Sequence, residues 1–146
     1  MGAVRLAVQP PPVAEFGAED WDSFAIASVP GVAAREWARL SLRGADGVFG
    51  SVVWHRLLGF DLADGATPGT LVGWQIGQDC DDHFVLDVDG SLMTGRMVFA
   101  QPDETVVWTT MLRFHNVTAR RIWTLAGNAH RAIAPRALSR ARRAIS

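Results

Sequence analysis

The sequence predicts an α+β domain in which a curved antiparallel sheet wraps around a long C-terminal helix, with two short helices after the first strand. Three observations carry this expectation. From Val117 onward, apolar residues recur at helical spacing. Between Leu71 and His115 the period drops to two, in four successive runs separated by short turn-forming segments. Ahead of them stand one strand-like run and two helix-like ones. With 146 residues, 49% hydrophobic and 20% charged, the chain has the apolar content for one core and too little charge for disorder.

Residues 1–20 read as an extended lead-in stiffened by Pro10, Pro11 and Pro12, and residues 21–146 as one domain. Trp21–Val29 is the first strand, closed by Pro30 and Gly31. Val32–Arg43 is a helix with Ala33, Trp37 and Leu40 on its apolar side. Gly44 and Ala45 break it, and Asp46 caps a second helix that runs to about Leu58 and ends at Gly59. Residues 59–69 form a loop by composition.

The alternating runs then follow. Leu71–Gly77 turns Val72, Trp74 and Ile76 inward, and His83–Asp89 does the same with Phe84, Leu86 and Val88. Leu92–Ala100 offers Met93, Gly95, Met97 and Phe99; Thr105–His115 offers Val106, Trp108, Thr110, Leu112 and Phe114. Short joints between such runs make an antiparallel meander with one dry and one wet face, five strands in all with the first. In the terminal helix Ala119, Ile122, Trp123, Ala126, Gly127, His130, Ile133, Ala134, Ala137, Leu138, Ala141 and Ile145 form one stripe, and arginines collect opposite. Pro135 cannot donate to the carbonyl of Arg131, so a kink or break is expected near Ala134.

Composition narrows the chemistry. There is no lysine and no tyrosine, which excludes a Schiff-base lysine, a phosphate-loop lysine and a tyrosine nucleophile. The single cysteine, Cys80, leaves no internal disulfide and fits a reducing, cytoplasmic setting. No apolar run is long enough for a membrane span, and the segment before the prolines is too short for a secretory core. Residues 1–112 carry a net charge of −9 and residues 113–146 a net charge of +8. The arginines of the tail suit the C-terminal end of a helix dipole and the acidic remainder of the chain, and no aromatic interleaving marks a nucleic-acid surface.

His130 is the one polar side chain in the helix stripe, aimed at the interior, where an imidazole needs a partner or serves a ligand. Gly127 beside it either admits the sheet or leaves room for a ligand. Trp54, Trp74, Trp108 and Trp123 project inward, as core or as the walls of an apolar pocket, and Met97 belongs to the same wall. The candidate ligand-binding set is therefore Trp74, Met97, Trp108, Trp123, Gly127 and His130. Arg96 and Arg113 stand on the wet face or at the sheet edges, where they would meet an acidic group on a ligand. Asp79, Asp81 and Asp82 lack the glycine and closing glutamate of a calcium loop, and no histidine pair has zinc spacing. No metal, no cofactor and no catalytic nucleophile is assigned; Cys80 lacks an activating partner, and no G-x-S-x-G elbow is present.

The order strand, two helices, meander, long helix resembles the helix-grip plan of the START-like, or SRPBCC, superfamily, and more narrowly a bacterial branch of it known only as a domain of unknown function. The residues that carry the resemblance are Asp22-Ser23-Phe24, Glu36-Trp37, His55-Arg56-Leu57-Leu58-Gly59, Trp108-Thr109-Thr110, Arg120-Arg121-Ile122-Trp123 and Ala129-His130-Arg131, spanning about residues 20–140. The resemblance implies a cavity between sheet and terminal helix. The leading expectation is a binding module for a small apolar or amphipathic molecule held there, with His130 giving one directional hydrogen bond. The alternative is a cyclase- or dehydratase-like enzyme with His130 as general acid or base, marked by a second titratable group within reach of the imidazole. A packed domain acting through its surface or as a homodimer is the third.

Overall fold

A computed structural model describes residues 2–43, 59–60 and 68–145. Its elements are β1 (Val4–Arg5), α1 (Pro11–Phe16), β2 (Asp20–Ala27), α2 (Ala34–Ser41), β3 (Thr70–Leu71), β4 (Trp74–Asp79), β5 (His83–Val88), β6 (Met93–Ala100), β7 (Thr105–Phe114) and α3 (Val117–Ile145). The strands form one antiparallel, curved sheet in the order β1-β2-β7-β6-β5-β4-β3. The long helix α3 packs against it, which makes the domain an α+β helix-grip-like fold. Among the described residues no helix is long and apolar enough to cross a membrane.

The meander forms because each alternating run finds its register in the next. Asp22 on β2 lies opposite Thr110 on β7, Thr110 opposite Met97 on β6, and Met97 opposite Leu86 on β5. A neighbouring row runs Phe24, Trp108, Phe99, Phe84. All of these side chains share the dry face, so two rows of the sheet converge under α3. α3 lies over β2 and β7, and α2 packs beside it over β5 and β6, with Trp37 fully buried between the layers. Gly95 lets this layer close: a Cβ there would stand 3.1 Å from the Trp74 ring and 3.2 Å from that of Phe60.

The lead-in is more structured than extended. β1 pairs with β2, and the prolines open α1 instead of excluding it, because Pro at the first helical positions has no N–H to waste and its fixed φ suits a helix. Gly17, at φ 71°, ends the helix in the left-handed conformation. α1 lays Val13 and Phe16 on the outer face against Val98 and Met111. The face expected to be wet is therefore partly dry.

Three further expectations are corrected. There are seven strands among the described residues, not five. The run Leu71–Gly77 is two strands, split by a two-residue turn at Val72 and Gly73 with φ of 47° and 89°, so Val72 reaches the core, 8% exposed, from a turn and not from a strand. Helix α3 continues through Pro135 without the break that was one expectation there, its stripe buried or half-buried except at Ile133, which is 60% exposed. Ile133 lies roughly 60° off the line through Trp123, His130 and Ala137, at the stripe's edge. The expected helix from Asp46 to Leu58, and Trp54 and His55 within it, lie outside the described residues.

Candidate functional site

The site begins with a charged residue on the dry face of β2. Phe24 and Ile26 point into the core, and period-two alternation places Asp22 and Asp20 on the same side. The Asp22 side chain is 2% exposed. A buried carboxylate needs a donor, and α3 supplies it: Nε2 of His130 lies 3.2 Å from Asp22 Oδ1. A carboxylate only accepts, so Nε2 carries a proton, and in the neutral ring Nδ1 is left with its lone pair. Nδ1 has no hydrogen-bond partner among the described residues. The His130 side chain is 18% exposed, so the ring is reachable from outside while its carboxylate is not.

Two indoles enclose the imidazole. Trp108 meets it edge-on at 5.9 Å between ring centroids and Trp123 at a tilt at 5.7 Å. Trp108 is fixed by stacking on Phe99 at 5.0 Å, and Trp123 by donating from Nε1 to Asp20 Oδ2 at 2.6 Å. Two polar atoms on β7 complete the arrangement. Nε1 of Trp108 and Oγ1 of Thr110 are buried without a hydrogen-bond partner among the described residues. Buried groups of this kind are normally satisfied by a water or a ligand.

Of the six residues expected to bind a ligand, the structure brings Trp108, Trp123, Gly127 and His130 together. Met97 is one strand away, paired with Thr110. Trp74 packs on Phe60 at 5.4 Å at the far side of the sheet, apart from His130. The space left by the missing side chain of Gly127 is filled by the Trp123 indole and the Arg131 guanidinium, each about 3 Å from where a Cβ would be. Arg96 and Arg113 lie on the outer face, their guanidiniums 4.8 and 4.3 Å from the Phe16 ring centre, and Arg96 is paired with Asp87. They do not reach the His130 region.

The other candidates find structural roles. Arg35 on α2 bridges Asp79 at 2.6 Å and Asp81 at 2.8 Å, tying the acidic hairpin to the helix layer. Both rings of His83 and His115 bond to neighbouring side chains, His83 to Asp82 and Gln78, His115 to Thr94. The Asp82 carboxyl is held below its ordinary range by the His83 ring that bonds it. Cys80 is exposed. In the arginine-rich tail Arg120 pairs with the carboxylate of Glu19, and Arg140 and Arg142 donate to the carbonyls of Arg43 and Ala27.

Asp22 is the member of the candidate site that reasoning from residue types does not single out. The signal was present, since alternation through Phe24 and Ile26 sends it inward. Thr110 was seen as inward-facing without being credited with a role.

No protein-family profile and no curated protein sequence matches the chain.

Proposed function

We propose that this chain is a small-molecule-binding domain of the START-like, helix-grip kind, working in the cytoplasm on a ligand with an apolar body and one or more polar groups. The observation that carries the reading is the partly accessible imidazole of His130, oriented by a buried carboxylate and walled by two indoles, with Nδ1 bonded to no group among the described residues. Such a combination, mostly apolar with a few converging polar atoms, is the usual make-up of a ligand site. The unpartnered N–H of Trp108 and hydroxyl of Thr110 support it further, since an oxygen on the ligand would satisfy them.

The test is thermal denaturation with a mixed panel of fatty acids, fatty alcohols and fused aromatic compounds. A ligand present at about one hundred times its Kd stabilises by roughly 2.7 kcal/mol, which is a rise of several degrees in Tm. His130→Gln, which keeps a donor for Asp22, should weaken that ligand. A panel that leaves Tm unmoved would overturn the proposal.

A second reading is favoured by Asp22 itself. A carboxylate 3.2 Å behind an imidazole is the second titratable group expected of a general acid–base enzyme. Asp22 would fix the tautomer that leaves Nδ1 basic and would stabilise the imidazolium formed when Nδ1 takes a proton. A cyclase- or dehydratase-like reaction fits this chemistry. Turnover of a bound ligand that His130→Gln abolishes while binding persists would establish it; recovery of the ligand unchanged would leave binding alone.

A further inference from the structure

A groove of about 530 Å³ opens beside Trp123, where β1, the start of β2 and the first turns of α3 meet. Its walls carry three arginines, Arg5, Arg120 and Arg131, and two acids, Glu19 and Asp20. Both acids are engaged. Glu19 accepts from the Phe114 N–H at 2.8 Å and from Arg120 at 2.6 Å, and Asp20 accepts from the Trp123 indole at 2.6 Å. Two of the arginines, Arg5 and Arg131, are not matched in the same way. Arg5 has no ion-pair or hydrogen-bond partner among the described residues. Arg131 donates from one terminal nitrogen to Asn128 Oδ1 at 2.8 Å, which leaves the other, Nη1, folded over Gly127 beside the Trp123 indole. The groove thus offers an excess of guanidinium donors around the Trp123 ring, and that ring also lies against His130, 5.7 Å between centroids.

We infer that this groove seats the anionic head of the ligand, a carboxylate paired with Arg131 and Arg5, while the apolar body runs along Trp123 toward His130. The inference rests on the reading of the His130 region as a ligand site and gives that ligand a chemical class, the amphipathic organic acids. A guanidinium presents its N–H groups in a fork matched to a carboxylate, and the neutral indole keeps the pair partly out of water. Gly127 takes part: with any side chain there, the Arg131 guanidinium and the indole could not occupy the same space.

Decanoate and 1-decanol share a chain and differ only in the head, so the test is their affinity by titration calorimetry, below the concentration at which either aggregates. Two partly exposed arginine–carboxylate contacts should favour decanoate roughly five- to thirtyfold. Arg5→Gln combined with Arg131→Gln should remove that preference and leave decanol binding unchanged, and Gly127→Ala should reduce it by displacing Arg131. Raising the salt should narrow the gap in the wild type. Equal affinity for the two probes, or a preference that survives the double variant, would overturn the head-group seat and leave the His130 site standing. Failure of both probes to bind the wild type would overturn both. Loss of both probes from a double variant with unchanged circular dichroism would also sink the head-group assignment, since it would show that these arginines shape the site as a whole.

Discussion

Replacing His130 by alanine should cost more than the side chain's packing accounts for, because it strands Asp22. The Asp22 side chain is 2% exposed, and His130 is its one hydrogen-bond partner among the described residues. Removing the one donor to a buried carboxylate typically costs about 3 kcal/mol or more, most of it the uncompensated charge left behind. His130 is itself 18% exposed, so its removal opens a path for water to the carboxylate. That places the expected loss near the lower end, about 3 kcal/mol. Asp22→Ala leaves an imidazole that can still turn toward solvent and should cost less, about 2 kcal/mol. The double variant has no charge to strand, so it should be less destabilised than the sum of the two, with a coupling of about 1–3 kcal/mol. Urea denaturation of the wild type, both single variants and the double variant gives the four free energies. Strictly additive losses, or a His130→Ala cost below about 0.5 kcal/mol, would refute the reasoning, because the carboxylate would then have another source of compensation.

Other consequences are open to the same kind of measurement. Pro135 lies inside an unbroken helix, where proline is about 3 kcal/mol worse than alanine, less about 1 kcal/mol for the rigidity it gives the unfolded chain; Pro135→Ala should therefore raise stability by about 2 kcal/mol, and a loss would show that the proline fits its neighbours better than a helical residue. A Cβ on Gly90 would lie 1.9 Å from the carbonyl oxygen of Gly59, backbone that cannot swing aside, so Gly90→Ala should cost about 1–3 kcal/mol in denaturant melts and a neutral result would contradict the bridge between Phe60 and Gly90. The Asp89 carboxyl is held below its ordinary range by the Thr94 hydroxyl and the Gly90 N–H. A depressed folded value means its contribution is present above the unfolded value near 3.9 and disappears as the pH falls through the folded one. Asp89→Asn should thus flatten the acid limb of a Tm-against-pH curve while changing little near neutrality, and an unchanged limb would contradict that role.

Much of the fold was legible because its elements obey their periods. The runs containing Phe84, Met97 and Trp108 alternate without a break, and the α3 stripe repeats for seven turns, so one buried face fixes each. The rest failed where a residue type and its usual role part company. Three consecutive prolines suggest an extended chain, yet Pro11 and Pro12 begin α1, with Gly17 as its stop. Val72 is the residue least expected at positive φ, so nothing local announced the turn that divides β3 from β4. Pro135 argued for a break that tertiary packing of Ala134, Ala137 and Leu138 overrides.

The candidate site shows the same division. His130 stood out as the one polar member of an apolar stripe. Its partner did not, because an aspartate in a strand is ordinarily read as solvent-facing, and only the alternation set by Phe24 and Ile26 sends Asp22 under the helix. Contacts across 108 residues of chain depend on how β2 and α3 are laid together, which no local pattern encodes. The same holds for the groove at Trp123, assembled from β1, β2, β7 and α3, where the arginines of β1 and α3 look like ordinary surface charge in the sequence.

The central claim is that Asp22 holds the His130 ring with Nε2 protonated and Nδ1 free for a ligand. The most direct measurement is the nitrogen-15 NMR spectrum of the His130 ring in the folded protein at neutral pH, with Asp22→Asn for assignment of the bonded nitrogen. The expected result is a single Nε2–H tautomer whose Nε2 resonance moves in Asp22→Asn. A ring carrying its proton on Nδ1, or one averaging between tautomers as in free solution, would contradict it.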